Sequence, residues 1–413
     1  MPLRLVFAVV FPATVCLLPH AADAENWTRF RGANGAGIST AKGIPTSWSR
    51  ADYQWKVTLP GVGHSSPVIW KDRLFVTSAI DEGKERYLFC LNAETGKTLW
   101  KRTTGLNRSH KHLKSSWASA TPAVDGERVY VAFADRDTYF LAAYDFDGGI
   151  VWRRSLGPFD SQHGQGVSPI VFEDLVIIPN DQKGPSSVVA FDKRTGKTAW
   201  SVLRTIRRTS YATPMIYRAK GKRPQLICAS GAMGVTSLDP ATGRQNWITG
   251  EFPLRTVASP IEADGLIVQS CGGGGVGKLL IAVDPSGSGD VSKTHVKYRR
   301  DTRLPYVPTP VAYKGHVYLW NDNGVVNCID AGTGKNIWTR RVGGNYSGSP
   351  ICIDGKLYVM SEKGEVVVIA ASPKYRFIAR TPLDDPSHAT PAVANGKLYL
   401  RTFHGLVCLP ARN

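Results

Sequence analysis

The sequence predicts an all-β fold, an eight-bladed β-propeller of four-stranded antiparallel blades. The first observation behind this prediction is an internal repeat of roughly 40 to 50 residues, the period typical of propellers and similar arrays. The second is the even spread of turn residues, with 41 Gly and 26 Pro along the chain. The third is that no long segment has the apolar period of a helix. Although 413 residues could form two or three average domains, the repeat favours one.

The N-terminal residues have the features of a secretory signal peptide. Arg4 precedes an apolar run over residues 5–18, and small residues at 22–24 would precede the cleavage site. We therefore assign residues 1–24 to a signal peptide and residues 25–413 to a single propeller domain.

The remaining chain has no apolar stretch of the ~18 to 20 residues that span a bilayer, so we predict no transmembrane segment. We expect a periplasmic or secreted protein. Lipid attachment at Cys16 is disfavoured, because Val15 stands where a Gly, Ala or Ser normally precedes a lipidated cysteine. The six later cysteines lie in or directly after strand-like apolar runs, which favours buried thiols and leaves any disulfide pairing open.

Each repeat opens with a hydroxyl residue directly before a proline. Chance composition would not place such a pair eight times in register, and we take each pair as the start of one blade. The pairs are Ser66-Pro67, Thr121-Pro122, Ser168-Pro169, Thr213-Pro214, Ser259-Pro260, Thr309-Pro310, Ser349-Pro350 and Thr390-Pro391.

After each proline the sequence predicts a hairpin and then a third and a fourth strand. The hairpin turns contain pairs such as Asp354-Gly355 and Asn395-Gly396. The third strand leads into a turn of the form Asp-x-x-Thr-Gly-Lys, and a tryptophan follows on the fourth strand. We predict that these tryptophans, and Trp55 near the N-terminus, have a structural role. The full set is Trp55, Trp100, Trp152, Trp200, Trp247 and Trp338.

The two ends of the chain are expected to share the last blade. The eighth repeat stops at Asn413 without a tryptophan strand, whereas Trp55 precedes Pro67 by 12 residues, as Trp338 precedes Pro350. We therefore expect residues 48–57 to supply the missing strand and to close the ring, which removes its open sheet edges.

These repeats resemble the PQQ-like β-propeller family, whose blades carry the motif Ala-x-Asp-x-x-Thr-Gly-Lys-x-x-x-Trp. The resemblance covers nearly the whole mature chain. It implies that the chain is similar in fold to quinoprotein dehydrogenase propellers and to the propeller subunit of outer-membrane barrel assembly. It implies a docking role for the tryptophans. It does not specify an activity, because one fold hosts many functions.

The resemblance also raises the question of a bound quinone. In quinoprotein dehydrogenases the PQQ cofactor lies between a Trp and a disulfide of adjacent cysteines, beside a calcium ion and an Asp base. This sequence has no adjacent cysteines and is shorter than those enzymes. We therefore predict no cofactor and keep a PQQ-dependent oxidoreductase with calcium as an alternative.

Several motif-like segments do not predict catalysis. Residues 272–278 fit G-x-x-x-x-G-K, but Leu279 follows and the segment joins two strands, so we interpret it as a hairpin. His110 and His112 have no evident third ligand, and we predict no metal site. HExxH, G-x-S-x-G and paired acids at a recognisable spacing are all missing from the sequence. An unrecognised glycan-processing enzyme would need a pair of acids brought together by the fold.

Charge provides the functional hypothesis. The chain carries a formal net charge of +18, and most of it falls in the connections between successive blades, which should share one face. We predict a non-catalytic, monomeric scaffold that binds an envelope protein or an anionic polysaccharide through this basic face. Secretion argues against nucleic acid as the partner. A uniformly solvated basic surface is the alternative interpretation.

The candidate binding residues lie around this face, centred on the long connection over residues 101–118. Long loops on a rigid scaffold are frequently functional. Cations expected to flank the loop include Arg204, Arg299, Arg300, Arg303, Arg340 and Arg341. The predicted binding residues are Arg108, Lys111, Lys114, Trp117, Arg207, Arg208, Arg255, Tyr211, Tyr306, Tyr346, His64 and His388.

Overall fold

The computed structural model describes residues 26–412, which form an eight-bladed β-propeller. The predicted fold class is confirmed. Each blade is a twisted antiparallel sheet of four strands, and blades 4 and 7 each carry one short additional strand that pairs in parallel. The predicted signal peptide and Cys16 lie outside the described residues. Among residues 26–412, none of the helices has the length and apolar character required to cross a membrane.

Two short strands and two turns of 3-10 helix, Ala33–Gly35 and Arg50–Asp52, precede the first blade. A third turn of 3-10 helix, Asp81–Gly83, lies within blade 1 between its second and third strands. The N-terminal strands are β1 (Ile38–Ser39) and β2 (Trp55–Thr58). Blade 1 contains β3 (Val68–Trp70), β4 (Arg73–Ile80), β5 (Glu85–Asn92) and β6 (Thr98–Gly105). Blade 2 contains β7 (Ala123–Val124), β8 (Arg128–Ala134), β9 (Tyr139–Asp145) and β10 (Ile150–Gly157). Blade 3 contains β11 (Ile170–Phe172), β12 (Leu175–Asn180), β13 (Ser186–Asp192) and β14 (Thr198–Arg204).

The second half repeats the same order. Blade 4 contains β15 (Met215–Tyr217), β16 (Gln225–Ser230), β17 (Gly234–Leu238) and β18 (Gln245–Ile248). Blade 5 contains β19 (Ile261–Ala263), β20 (Leu266–Gly273), β21 (Val276–Val283) and, after β22 (Gly289–Asp290) on blade 4, β23 (Val296–Arg300). Blade 6 contains β24 (Val311–Tyr313), β25 (His316–Trp320), β26 (Val325–Asp330) and β27 (Asn336–Arg341). Blade 7 contains β28 (Ile351–Ile353), β29 (Lys356–Met360), β30 (Glu365–Ala370) and β31 (Phe377–Pro382), and blade 8 contains β32 (Ala392–Ala394), β33 (Lys397–Arg401) and β34 (Gly405–Pro410).

The predicted closure of the ring is confirmed. Strand β2 pairs antiparallel with β34, with Trp55 opposite Cys408 and Thr58 opposite Gly405, and it becomes the outer strand of blade 8. Within the predicted segment 48–57, only residues from Trp55 onward are in the strand. The last blade therefore contains strands from both ends of the chain, and no blade is left without its outer strand.

Adjacent blades are joined by the tryptophans of their outer strands. The Nε1 group of Trp152 donates to the backbone carbonyl of Lys193 in the next blade at 3.0 Å, and Trp200 donates to that of Pro240 at 3.1 Å. The same contact is made from three further blades by Trp55, Trp100 and Trp338. In blade 5, Tyr298 takes the position of the tryptophan and donates its hydroxyl to the Ala331 carbonyl at 3.0 Å.

Blade 4 makes this contact through an intermediate residue. Trp247 is fully buried and donates to Gln225 Oε1 at 2.8 Å, and Gln225 Nε2 donates to the Pro285 carbonyl at 3.0 Å. The apolar core is distributed between neighbouring blades in the same way, because clusters of buried side chains are shared between their facing sheets. All six cysteines of the described chain are buried free thiols in these clusters, where burial raises their pKa.

The chain alternates between the two ends of the ring. Connections from each fourth strand to the next blade emerge on one side, which we call the mouth face, together with the turns between second and third strands. The remaining turns emerge on the opposite side. There residues 26–39, which we call the plug, cross the axis. The plug bonds to blade 1 through Trp27, to blade 4 through Arg29 and Asn34, and to blade 7 through Arg31.

Candidate functional site

A cavity of about 560 Å³ lies on the axis of the propeller, and residues from all eight blades line it. Phe30 of the plug lines its inner end, and the turns and connections of the mouth face surround its open end. Because the plug crosses the axis, the central channel is a cup that opens at one face. This size falls in the range of small-molecule sites, roughly 300 to 1,000 Å³.

The floor of the cup is a closed circle of eight hydrogen bonds made by the hydroxyl residues that precede the prolines. In each bond the backbone N–H of one hydroxyl residue donates to the side-chain oxygen of its counterpart in the next blade. Ser66 donates to Thr121 at 3.0 Å, and Thr390 donates back to Ser66 at 3.3 Å. The other six bonds complete the circle through Ser168, Thr213, Ser259, Thr309 and Ser349.

Two carboxylic side chains stand at equivalent positions on the wall of the cup. Asp322 lies in the turn between β25 and β26, and Glu362 lies in the corresponding turn of the next blade, between β29 and β30. The segment between these blades connects the two turns. Tyr346 N–H donates to the Asp322 carbonyl, and Glu362 N–H donates to the Asn345 carbonyl, both at 2.8 Å.

The two acids differ in their surroundings. Lys114 Nζ lies 2.8 Å from Glu362 Oε1, and Ser347 donates to the same oxygen at 2.7 Å. Burial opposes ionisation of Glu362, but these two partners outweigh it and its pKa lies below the usual range. Asp322 Oδ2 accepts the N–H of Tyr306 at 2.8 Å, whereas burial raises the pKa of its carboxyl. Its Oδ1 atom has no hydrogen-bond partner in the described chain.

Four imidazoles line the cup in two pairs. The rings of His64 and His388 are 4.6 Å apart between centroids, and Phe403 stacks on His64 at 4.9 Å. His388 Nδ1 lies 3.2 Å from the Lys114 carbonyl oxygen. Burial is the main cause that lowers the pKa of both histidines, that of His64 far below 6.5, so these rings are neutral near pH 7.

The second pair is His112 and His163, whose centroids are 4.7 Å apart and which lie on the connections into blades 2 and 3. Arg255 bonds to His163 through one guanidinium nitrogen and donates to Gln162 Oε1 at 3.0 Å through the other. Burial, and then the charge of Arg255, lower the pKa of His163 to about 4. Tyr211 completes this wall, with its hydroxyl 2.9 Å from that of Ser161.

A second depression of about 600 Å³ adjoins the cup on the mouth face. Its lining includes Arg303, Arg340 and Arg341, and we call it the arginine groove. Among the described residues that line it, none is acidic. Gly275 and Asn323 line both the groove and the cup, so the two depressions are neighbours.

The family described as outer membrane protein assembly factor BamB matches residues 48–182, 103–261, 276–374 and 322–409. The chain belongs to this family. The BamB of Yersinia pestis is 20% identical over 354 residues, which are 80% of this chain and 81% of that protein. The structure of BamB from Moraxella catarrhalis superposes with a TM-score of 0.62 and 15% identity, covering 86% of this chain and 96% of that one.

The same propeller fold occurs in an enzyme. Quinohemoprotein alcohol dehydrogenase from Comamonas testosteroni superposes with a TM-score of 0.69 and 14% identity, covering 93% of this chain and 80% of that chain. At this identity the likeness concerns the fold alone. The BamB-like family and the quinoprotein enzymes therefore share one architecture, and the residues of each cavity have to distinguish their functions.

The structure brings five of the predicted binding residues to the wall of the cup: His64, Lys114, Tyr211, Tyr306 and His388. Arg255 stands behind His163 and reaches the cup through it. Tyr346 is fully buried against Trp320, with ring centroids 5.3 Å apart, and lies outside the cavity lining. Tyr346 was predicted to bind a ligand because it lies just upstream of a hydroxyl-proline pair, but that sequence position does not show whether the side chain faces the cavity or the core.

The basic loop is more internally bonded than its sequence indicates. Arg108 pairs with Asp81, Lys114 pairs with Glu362, and Lys111 Nζ lies 4.8 Å from the centre of the Trp117 ring. Trp117 in turn donates to the Ser109 carbonyl at 2.6 Å.

Farther around the mouth face the predicted cations differ in exposure. Arg207 is exposed and pairs with Glu251 at 2.8 Å, and Arg208 is also exposed. Arg204, expected as a surface cation, is buried and pairs with the buried Asp181 at 2.7 Å.

Sequence reasoning missed His163, Asp322 and Glu362. Asp322 and Glu362 each follow the second strand of their blade and lie two residues before a glycine. That shared position in two successive repeats is the signal that could have identified them. His112 was considered only as part of a metal site, and no group of three or more metal-ligating side chains occurs within residues 26–412.

Proposed function

We propose that this chain is a non-catalytic binding scaffold of the cell envelope that holds an acidic partner on its mouth face. Membership of a family named for outer membrane protein assembly supports both the scaffold role and the location. The signal-like N-terminus predicted from the sequence agrees with export. The partner is an envelope protein or an anionic polysaccharide, and the propeller binds it as a monomer.

The arginine groove is the observation that carries this proposal. Arg303, Arg340 and Arg341 are exposed and line one depression that has no acidic side chain in its described lining. Guanidinium groups bind carboxylate or sulfate through two parallel hydrogen bonds, which gives them both strength and orientation. Three of them in one groove suit a run of carboxylates or sulfates better than an isolated anion.

The long basic loop over residues 101–118 is a weaker candidate than the groove for the centre of the docking surface. Arg108 and Lys114 each already contact an acid of the same chain, so binding an external acid there would first break an internal pair. Exposed ion pairs are worth only about 0 to 1 kcal/mol, so such cations can still add to the general potential of the face. We therefore propose the groove as the centre of the docking surface and the loop as its margin.

A quinone cofactor fits the cup poorly. The lining contains no tryptophan and no cysteine, whereas the PQQ site of quinoprotein dehydrogenases uses both. In the part of the chain that the structure describes, no cluster of three metal-ligating side chains stands ready for calcium. We therefore propose no step through a quinone.

Retention on a heparin column tests the proposal. We expect the mature chain to bind and to elute with salt, because exposed charges are screened within ~10 Å at 0.1 M ionic strength. Arg303→Gln, Arg340→Gln and Arg341→Gln together should elute at clearly lower salt. A matched control changes Lys220, Lys222 and Arg223 to Gln, three exposed cations in a turn on the opposite face. Equal elution of both triple variants would refute the groove as the docking surface.

A further inference from the structure

The interior of the cup differs in charge from the rest of the molecule. The chain has a formal net charge of +18, but the Lys114 ammonium in the cup is neutralised by Glu362 at 2.8 Å. Burial keeps His64, His388 and His163 neutral near pH 7, and it raises the pKa of the Asp322 carboxyl. The cup is lined by one ammonium, that of Lys114, and by the two acids Asp322 and Glu362, so it does not share the excess of cations of this basic protein.

Buried polar atoms in the cup lack partners. His64 is partly buried and lines the cavity, and both of its ring nitrogens are buried without a hydrogen-bond partner in the described chain. Asp322 Oδ1 is equally without a partner. Buried polar groups in native proteins are almost always hydrogen-bonded, so an unpaired set around one cavity indicates groups that a ligand or water satisfies.

The floor adds hydroxyl donors to this set. Each side-chain oxygen of the circle already accepts a backbone N–H, for example Thr121 from Ser66 and Ser349 from Thr309. A hydroxyl has one proton to donate in addition to its lone pairs. Within residues 26–412 none of these eight hydroxyls donates to another group, so their protons are available to whatever occupies the cup.

Aromatic faces complete the cavity. Phe30 lines the inner end, and Tyr211 and Tyr306 line the wall between blades 3 and 6. Aromatic side chains with a polar tip offer one apolar surface and one hydrogen-bonding atom. Such surfaces suit a molecule whose faces carry C–H groups and whose edges carry hydroxyls.

We propose that the cup binds a small, neutral, hydroxyl-rich ligand, a sugar or polyol of one or two rings. Neutral hydroxyls can donate to Glu362 and Asp322 and accept from the hydroxyls of the floor, whereas an inorganic anion would meet the Glu362 carboxylate. This site is separate from the arginine groove and extends the proposed scaffold function with a small-molecule site. Its ligand is recognised by hydrogen bonds and ring contacts instead of by charge.

Isothermal titration calorimetry of the mature chain tests this inference with four probes: glucose, N-acetylglucosamine, cellobiose and inorganic sulfate. We expect saturable binding of at least one neutral sugar in the millimolar range or tighter. That binding should be unchanged by salt, because no exposed charge pair forms. Sulfate should not compete for it.

Two variants locate the site. Glu362→Gln removes the charge but retains an oxygen that can accept from Ser347. We expect it to weaken sugar binding about tenfold, because a neutral amide oxygen is a weaker acceptor for a ligand hydroxyl than a carboxylate. Asp322→Asn should weaken binding to a similar extent. Glu251→Gln is the matched control, since Glu251 is an exposed acid of the same face that lies outside the cup.

The result that overturns the inference is the absence of saturable sugar binding by any of the three sugars, or sugar binding that Glu362→Gln and Glu251→Gln affect equally. Displacement of the sugar by sulfate would overturn it as well. The triple variant of the arginine groove separates this result from the scaffold proposal. It should elute from heparin at clearly lower salt and keep sugar binding.

Discussion

The backbone N–H of Thr390 donates to the side-chain oxygen of Ser66 at 3.3 Å, across a separation of 324 residues. This bond closes the circle of eight on the floor of the cup and joins the last blade to the first. The regular hydroxyl before each proline therefore has a structural reason, since each one accepts the N–H of the preceding blade. These residues are almost fully buried.

Loss of one acceptor in this circle should destabilise the whole ring. Ser66→Ala leaves the buried N–H of Thr390 without a partner, which typically costs about 1 to 3 kcal/mol. Urea denaturation measures the change in the free energy of unfolding. Thr302→Val, at an exposed position on the mouth face, is the control and should remain within about 0.5 kcal/mol of the parent protein. Equal stability of the two variants would contradict the claim that this circle of hydrogen bonds stabilises the ring.

The docking of tryptophan on the next blade predicts a specific cost at Gly196. A Cβ atom built there would lie 2.7 Å from Trp152 Cδ2, whereas one built at Gly221 meets no atom within 4 Å. Both glycines have φ near +70°, at 68° and 70° respectively, so alanine pays the same backbone cost of about 1 to 2 kcal/mol at each. Gly196→Ala should therefore be less stable than Gly221→Ala by a further ~1 to 3 kcal/mol. Thermal unfolding of the two variants checks the difference, and identical curves would argue against tight docking.

Stability should decrease on mild acidification because of His163. Its pKa falls from 6.5 to about 4 on folding, so the unfolded chain binds the proton more tightly. The contribution of the neutral ring is complete above pH 6.5 and is lost as the pH falls towards 4. After burial, the charges of Arg255, His112, His110 and Lys183 lower this pKa, and of these groups Arg255 and His112 contact the ring.

The variant His163→Gln should reduce the pH dependence of unfolding between those values. His316→Gln is the control, since His316 lies on β25 at the face opposite the mouth. Free energies of unfolding measured by urea at several pH values give the slopes. An unchanged slope in His163→Gln would show that this ring is not protonated in the window.

The two roles of the N-terminal segment can be separated by truncation. A chain that begins at residue 48 loses the plug but keeps β2, so we expect a closed ring that folds with reduced stability. A chain that begins at residue 59 also loses β2 and leaves one edge of β34 unpaired, which favours aggregation. Size-exclusion chromatography and thermal unfolding compare the two. Similar behaviour of both truncations would contradict the closing role of β2.

The architecture was determined by the sequence itself. Eight hydroxyl-proline pairs, the repeated turns and the tryptophans predicted the number of blades, and the position of Trp55 predicted how the ring closes. Such a prediction succeeds because each blade is a local unit whose hairpins, turns and docking side chain lie within one repeat. Trp247 shows the limit of this, since its contact with the next blade runs through Gln225, a residue outside the repeat motif.

The candidate site was decided by the tertiary structure. Asp322 and Glu362 belong to different repeats, and only the curvature of the ring brings them to one wall beside Lys114, which comes from a loop more than two hundred residues earlier. Charge counted along the chain could not show that Lys114 and Arg108 are paired internally or that Arg204 is buried. Pairing and burial depend on which residues of distant repeats face each other, and this is set by the closed ring and the plug that crosses its axis.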